Sequence, residues 1–134
     1  MSASTPQELP WPLLDALNAA DVPGVVALYE PHGVALSGDG CVAAGHEAIG
    51  RVITYLVKRQ PQFSLREADV TMAGELALIR SAWAVETPRP GGGMDEVQLD
   101  TVLVVRRQDD GRWLVAIDRS ERQDAARSGQ RDTG

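Results

Sequence analysis

The chain has 134 residues, a net charge of −6 and a hydrophobic share of 43%, which together predict a single acidic globular domain. An acidic chain lacks the basic stripe that nucleic-acid binding requires. Cys41 is the only cysteine, so neither a disulfide framework nor a thiolate metal cluster is expected. No apolar run reaches the roughly 20 residues of a membrane-spanning helix, and the polar start does not resemble a signal peptide. We therefore expect a cytoplasmic protein that does not bind membranes.

Three helices are predicted in the first half of the chain. Residues 1–10 are expected to be a flexible lead-in, and apolar residues at helical spacing then predict a helix over residues 11–20. Asp21 is a suitable N-cap for a short helix from Val22 to Tyr29. A third helix begins at Gly45 and ends before Pro61. Its apolar face consists of Ile49, Val52, Ile53, Leu56 and Val57.

Strands are predicted for the rest of the domain, which we place at residues 11–119. Their predicted ranges are 34–36, 41–43, 63–72, 76–86, 97–106 and 113–118. Residues 120–134 have almost no apolar content and are expected to form a disordered tail. Helices followed by antiparallel strands indicate an α+β fold. With so few strands, the sheet must curve around the helices, which favours a cone with an apolar pocket.

Three stretches of sequence carry a family resemblance. They are Ala20-Asp21-Val22 with Val26-Ala27-Leu28-Tyr29, Gly45-His46-Glu47-Ala48-Ile49, and Leu103-Val104-Val105-Arg106 with Asp110-Gly111-Arg112-Trp113. In these stretches the chain resembles the nuclear transport factor 2-like superfamily, and most closely its SnoaL-like and ketosteroid-isomerase-like branch. The resemblance spans roughly residues 10 to 120. It implies a cone-shaped, cystatin-like fold that often forms homodimers, but the same fold hosts several unrelated activities.

The resemblance also argues against steroid isomerisation. The position of that family's general-base aspartate is occupied by Ser37, and those of its two oxyanion-hole donors by Leu13 and Leu103. A serine without a neighbouring base does not abstract a proton from carbon, and leucine donates no hydrogen bond to an enolate. If the chain is an enzyme, we expect an isomerase, a cyclase or a hydrolase of the SnoaL-like kind.

The same comparison assigns strand residues to the two faces of the sheet, because side chains alternate. The predicted inward set is Leu78, Arg80, Ala82, Ala84, Leu99, Thr101, Leu103, Val105, Leu114, Ala116 and Asp118. The predicted outward set is Ile79, Ser81, Trp83, Gln98, Asp100, Val102, Val104, Trp113, Val115 and Ile117. Because this outward set is too apolar for water, a homodimer through the convex sheet face is expected.

Arg80 and Asp118 are the predicted catalytic pair, since both would be polar residues on an apolar inner face. An arginine buried there needs a carboxylate partner, so the pair is either an anchor for a ligand or a structural ion pair. The resemblance to epoxide hydrolases of this fold is incomplete, because Leu78 and Ala82 stand where a second carboxylate is required. Asp100 is expected on the outer face; a register shift of one residue would make it the catalytic base instead.

The predicted ligand-binding residues are those that would line the pocket. They are Leu13, Leu17, Tyr29, Ser37, Ile49, Val52, Ile53, Leu56, Leu78, Ala82, Leu99, Thr101, Leu103 and Ala116. Neither a metal site nor a cofactor is expected, since His32 and His46 lack ligand spacing. Two functions stay open: acid–base chemistry on a hydrophobic, polyketide- or terpenoid-like compound, and a non-catalytic homodimer that binds a ligand or serves as a structural module.

Overall fold

A computed structural model describes residues 3–123. The helices are α1 (Pro10–Asn18), α2 (Val22–Val26) and α3 (Gly45–Val57). The strands are β1 (Tyr29–Ser37), β2 (Val42–Ala44), β3 (Gln62–Ala73), β4 (Leu76–Pro88), β5 (Met94–Arg107) and β6 (Trp113–Arg122). Three helices packed on one sheet confirm the predicted α+β class. Within the described range, every helix is too short or too polar to cross a membrane.

The two ends of the predicted domain differ from expectation. The lead-in is packed from Ala3 onward: Ala3 and Leu9 are buried, and the Trp113 amide donates to the Ala3 carbonyl at 2.9 Å. Strand β6 continues to Arg122, so the first residues of the predicted tail belong to the sheet. The remainder of that tail, residues 124–134, lies outside the described residues.

Local sequence signals explain the helices. The Asp21 side chain accepts the Gly24 amide hydrogen at 3.1 Å, which confirms Asp21 as the N-cap of α2. That helix is shorter than predicted, and Tyr29 begins β1 instead of ending α2. Asn18 ties the end of α1 to the sheet, because its side chain both donates to and accepts from the Phe63 backbone, at 2.9 and 2.7 Å.

The sheet has the strand order β2-β1-β6-β5-β4-β3. All neighbouring strands are antiparallel except β1 and β6, which pair in parallel. The parallel pair departs from the fully antiparallel sheet predicted, because the chain returns to β1 only after the long β3–β5 meander. Strand β3 forms one edge of the sheet and the short β2 forms the other.

Irregular positions curve the sheet. Arg66 is an extra residue in β3, between the pairs Leu65–Trp83 and Glu67–Ala82. Ala116 is an extra residue in β6, where Val104 pairs with Ile117 and Val105 with Val115. Such bulges bend a strand and increase its twist. The helices fill the resulting concave face, and Leu9, Ile49, Ile79, Leu103 and Val115 are among its most deeply buried side chains.

Candidate functional site

Strand β4 presents the opposite face from the one predicted. Ile79, Ser81 and Trp83 pair with Leu103, Thr101 and Leu99 of β5 and share the concave face with them. Ile79, Ser81 and Trp83 are buried, whereas Leu78 and Arg80 are exposed on the convex face. The predicted inward positions of Leu78, Arg80, Ala82 and Ala84 are therefore wrong. Both alternating sets of β4 are largely apolar, so alternation alone did not identify the buried one.

Strand β5 has the predicted orientation. Thr101, Leu103 and Val105 are buried and Leu99 is partly buried on the concave face. Asp100 is exposed on the convex face, opposite Ala82 of β4 and Glu121 of β6. The register shift that would have brought Asp100 inward does not occur.

Strand β6 follows the prediction only after its bulge. Asp118 pairs with Leu103 and lies on the concave face, as predicted. Before the bulge, Val115 and Trp113 belong to the buried core, whereas they were predicted to face outward. Leu114 pairs with Arg106 on the other face, and Ala116 is the extra residue without a partner in β5. The bulge interrupts strict alternation, so the predicted inward position of Leu114 is wrong, although both Leu114 and Ala116 are buried.

The predicted Arg80–Asp118 pair does not form. Arg80 pairs with Val102 on the convex face, while Asp118 lies on the concave face two strands away. Among the described residues, no ion pair involves either side chain. An Asp118 site therefore has to be built from other neighbours.

Hydroxyl groups surround Asp118. The Tyr29 hydroxyl donates to Oδ2 of Asp118 at 2.6 Å, and the Ser120 hydroxyl donates to Oδ1 at 3.3 Å. Burial raises the pKa of the Asp118 carboxyl above its usual value, while these two hydrogen bonds act in the opposite direction. Asp118 is partly buried, and both of its carboxylate oxygens accept a hydroxyl hydrogen.

Tyr29 is positioned by its backbone as well as by its hydroxyl. Its carbonyl lies 2.7 Å from Nε2 of His46, at the start of α3, and the residue is 3% exposed. Burial, followed by the charge of Asp118 and the hydrogen bond to it, holds the pKa of Tyr29 well above its usual value. Tyr29 therefore stays protonated and donates to Asp118 at ordinary pH.

A row of small side chains crosses the concave face beside Asp118. Ser37, Ser120, Thr101 and Ser81 occupy matching positions on β1, β6, β5 and β4, and Ala68 continues the row on β3. We call the four hydroxyl-bearing members the hydroxyl row. The Thr101 and Ser120 hydroxyls are 3.0 Å apart, and the Trp83 indole donates to Ser81 at 2.8 Å.

The sequence prediction missed part of this site. Ser120 was assigned to the tail because apolar residues end at Asp118, and Ser81 was assigned to the outer face with the rest of its set. The signal that could have revealed them is the spacing of Thr101, Asp118 and Ser120, which places hydroxyls on one face of two neighbouring strands.

Most of the predicted pocket-lining residues lie in the core. Leu13, Leu17, Ile49 and Ile53 are buried and Leu56 is partly buried against the same cluster. Val52 is an exception, since it is 51% exposed on the outer side of α3. Ser37 is exposed at the end of β1, where its hydroxyl donates to Asp39. Leu103, at the family's acid position, is fully buried.

Two surface grooves lie away from Asp118. One, of about 470 Å³, runs between α2 and α3 beside Tyr55, and one of about 390 Å³ lies between Trp11 and β3. Neither is lined by Asp118 or by the hydroxyl row. The apolar pocket inside the cone therefore stays a prediction. Over residues 3–123, no cluster of three or more His, Cys, Asp or Glu side chains is arranged to hold a metal ion.

The model of the SnoaL-like domain family matches residues 13–116. No curated protein matches the chain.

Solved structures share the fold at low sequence identity. A ketosteroid isomerase-like protein from Erwinia carotovora atroseptica is 21% identical with a TM-score of 0.73, covering 87% of this chain and 92% of that one. A nuclear transport factor 2-like protein with a cystatin-like fold from Novosphingobium aromaticivorans is 21% identical with a TM-score of 0.77, covering 90% and 83%. A protein from Catenulispora acidiphila, in complex with S-DNPA, is 20% identical with a TM-score of 0.78, covering 91% and 93%.

Proposed function

Since the chain belongs to the SnoaL-like domain family, we propose that it binds a small, largely apolar molecule on the concave face of its sheet, with Asp118 contacting the polar end. The observation that carries the proposal is the 2.6 Å hydrogen bond from Tyr29 to a partly buried Asp118. A partly buried carboxylate that forms no ion pair with any side chain of residues 3–123 is a candidate ligand-binding group. The structure bound to S-DNPA is consistent with a ligand site in this fold.

Acid–base chemistry would follow from the same geometry. Burial raises the pKa of Asp118, and a carboxylate with a raised pKa is a stronger base than an exposed one. Tyr29 and Ser120 hold its two oxygens and fix its orientation. Asp118 would thus take a proton from a bound hydrophobic compound, and Arg80, on the opposite face, would have no part in that step.

Ligand binding is tested by a thermal-shift screen of steroids, polyketide fragments and terpene epoxides. Wild type should be stabilised by at least one compound, and Asp118→Asn should lose that stabilisation. Asp100→Asn is the matched control, because it changes the same chemical group on the convex face of the adjacent strand. Equal responses of all three proteins to every compound would refute a site at Asp118.

A homodimer through the convex face is a second proposal, favoured by a different observation. Leu78, Val104, Ile117 and Val34 form a line across four strands, which we call the convex apolar row. Leu78 and Ile117 are 38% and 43% exposed, and Arg80 and Arg119 flank the row at the next level. Water contact with such a row is unfavourable, and pairing with a second copy would bury it. Such a homodimer would act as a binding or structural module without catalytic activity.

Dimerisation is tested by analytical ultracentrifugation of wild type and Ile117→Lys. Wild type should sediment as a dimer and Ile117→Lys as a folded monomer, because a lysine cannot be buried there without a partner. Val52→Lys is the control, since Val52 is an exposed aliphatic residue of α3 and lies outside the sheet. A wild-type monomer, or a dimer that survives Ile117→Lys, would contradict the proposal. The cytoplasmic location stays a prediction from the sequence.

A further inference from the structure

The hydrogen bonds around Asp118 have a direction. An ionised carboxylate only accepts, so both Tyr29 and Ser120 give it their hydroxyl hydrogens. A serine hydroxyl has one hydrogen, and that of Ser120 is thereby used. The 3.0 Å contact between Ser120 and Thr101 must then be a bond donated by Thr101. Two hydroxyl hydrogens, those of Tyr29 and Ser120, therefore point to Asp118, and the Thr101 hydrogen points to the Ser120 oxygen.

The polar groups of the concave face that remain available to a ligand can only accept hydrogen bonds. Once Thr101 and Ser120 have donated, their oxygens keep only lone pairs, and Asp118 keeps the remaining lone pairs of its carboxylate. Asp118 forms no ion pair with any side chain of residues 3–123, so its charge is balanced only by hydroxyl dipoles. The partly buried side chains, Asp118 and Ser120, are those that a ligand can approach.

The level of the hydroxyl row carries only small side chains. Five adjacent strands place only alanine, serine or threonine there, whereas the next level carries Leu65, Trp83 and Leu99. Trp83 turns back to donate to Ser81 and so occupies the β4 end of the row. Exposure rises from Ser81 and Thr101, which are buried, to Ser120 and then to Ser37. A ligand would therefore reach the hydroxyl row from the β1 side of the sheet.

We propose that this site selects ligands whose polar end donates hydrogen bonds, namely amines and alcohols, over ketones and carboxylates. The inference rests on the proposed function and specifies its ligand class. A donor group satisfies the lone pairs of Asp118 and Ser120, and an ammonium group also neutralises the carboxylate. A ketone oxygen would meet only acceptors, and a carboxylate would add repulsion between like charges. Leaving a buried polar group unpaired is strongly unfavourable.

The test uses four probes with one skeleton: naphthylmethylamine, naphthylmethanol, acetylnaphthalene and naphthoate. Calorimetric titration of wild type should show the amine and the alcohol binding about tenfold or more tighter than the ketone, as expected for one unpaired polar group. Naphthoate should bind weakest. A ketone or carboxylate that binds as tightly as the alcohol would overturn the inference while leaving a ligand site in place.

Variants locate the selectivity. In Asp118→Asn the new amide can donate, so the alcohol-to-ketone ratio of affinities should fall towards one. Ser120→Ala releases the Thr101 hydrogen and should lower the same ratio. Ser64→Ala, on the convex side of β3, is the matched control and should keep the wild-type ratio. An unchanged ratio in both site variants would overturn the inference, and a wild type that binds none of the probes would overturn the proposed function with it.

Discussion

Leu78 and Ile79 are neighbours in β4, both are aliphatic, and they lie on opposite faces of one sheet. Leu78 is 38% exposed, whereas Ile79 is fully buried beneath the helices. The two faces thus differ less in hydrophobic content than in what covers them. The helices of the same chain cover the concave face, whereas Leu78 and Ile117 on the convex face are exposed. Apolar character alone therefore does not identify a core face.

The two faces differ more clearly in their polar residues than in their apolar ones. On the concave side they are short: Asp118, Ser120 and Thr101 are hydrogen-bonded to one another, and Ser81 accepts from the Trp83 indole. On the convex side they are long and charged, as in Arg80 and Arg119, and they extend into solvent. Every buried side-chain polar atom in the described range has a hydrogen-bond partner. Short hydroxyls thus mark the inner face better than hydrophobicity does.

The largest contrast is expected between Ile79→Ala and Leu78→Ala. Removing a fully buried isoleucine side chain should lower the free energy of unfolding by about 2–5 kcal/mol, because it leaves a cavity. Leu78→Ala should lower it by less than about 1 kcal/mol in the monomer. Urea denaturation measures both. Equal losses would contradict the assignment of faces, and a Leu78→Ala loss that grows with protein concentration would sharpen it by placing Leu78 in a dimer interface.

Tyr29→Phe should have the next largest effect. It deletes the hydroxyl that donates to a charged, partly buried Asp118, so a loss of about 1.5–3 kcal/mol in the free energy of unfolding is expected. Tyr55→Phe is the matched control, because Tyr55 is 66% exposed on α3, and it should change stability by less than about 0.5 kcal/mol. Similar effects of the two changes would show that the Tyr29 hydroxyl contributes nothing specific.

The pH dependence of stability should report the burial of the Asp118 carboxyl. Burial raises the pKa of Asp118 in the folded protein above the unfolded value of about 3.9. Its stabilising contribution is then complete below the unfolded pKa and is lost as pH rises through the folded pKa. Asp118→Asn should therefore gain stability relative to wild type as the pH rises from about 4 through the folded pKa. Denaturation across this range measures the gain, and a difference between Asp118→Asn and wild type that does not change with pH would argue against burial.

Arg80→Ala should have the smallest effect. Its side chain is exposed on the convex face, so the free energy of unfolding should change by no more than about 0.5 kcal/mol. Binding of any ligand found in the screen should be unchanged. A loss of binding as large as that of Asp118→Asn would mean that Arg80 reaches the concave site after all.

The parts of the fold that could be predicted are those with one clear pattern. Helix α3 has a single apolar face, and β5 alternates aliphatic residues with polar ones at Gln98 and Asp100, so both were located from sequence. In β4 the two alternating sets are Leu78, Ala82 and Ala84 against Ile79, Trp83 and Val85. Their hydrophobicity is too similar to decide which is buried, and only pairing with β5 resolves it.

The candidate site was predicted in part for related reasons. Asp118 was found because it is a lone carboxylate at the end of an apolar strand. Its hydrogen-bond partner Tyr29 was not identified, and Arg80 was predicted instead, because strand pairing and not spacing along the chain determines the partner. Tyr29 was predicted to face the ligand, but its bond to Asp118 depends on the parallel pairing of β1 with β6, for which the sequence offers no local signal.

The extra residue Ala116 bears on how the curvature of the sheet can evolve. Val115 and Asp118 both face inward, and they would still do so if Ala116 were deleted, because alternation would then be regular from one to the other. The bulge therefore contributes bend and twist and does not determine which residues line the cone. Loss of a single codon would flatten the wall beside Asp118 while keeping its chemistry. The breadth of the concave surface and the identity of its polar groups can thus evolve separately.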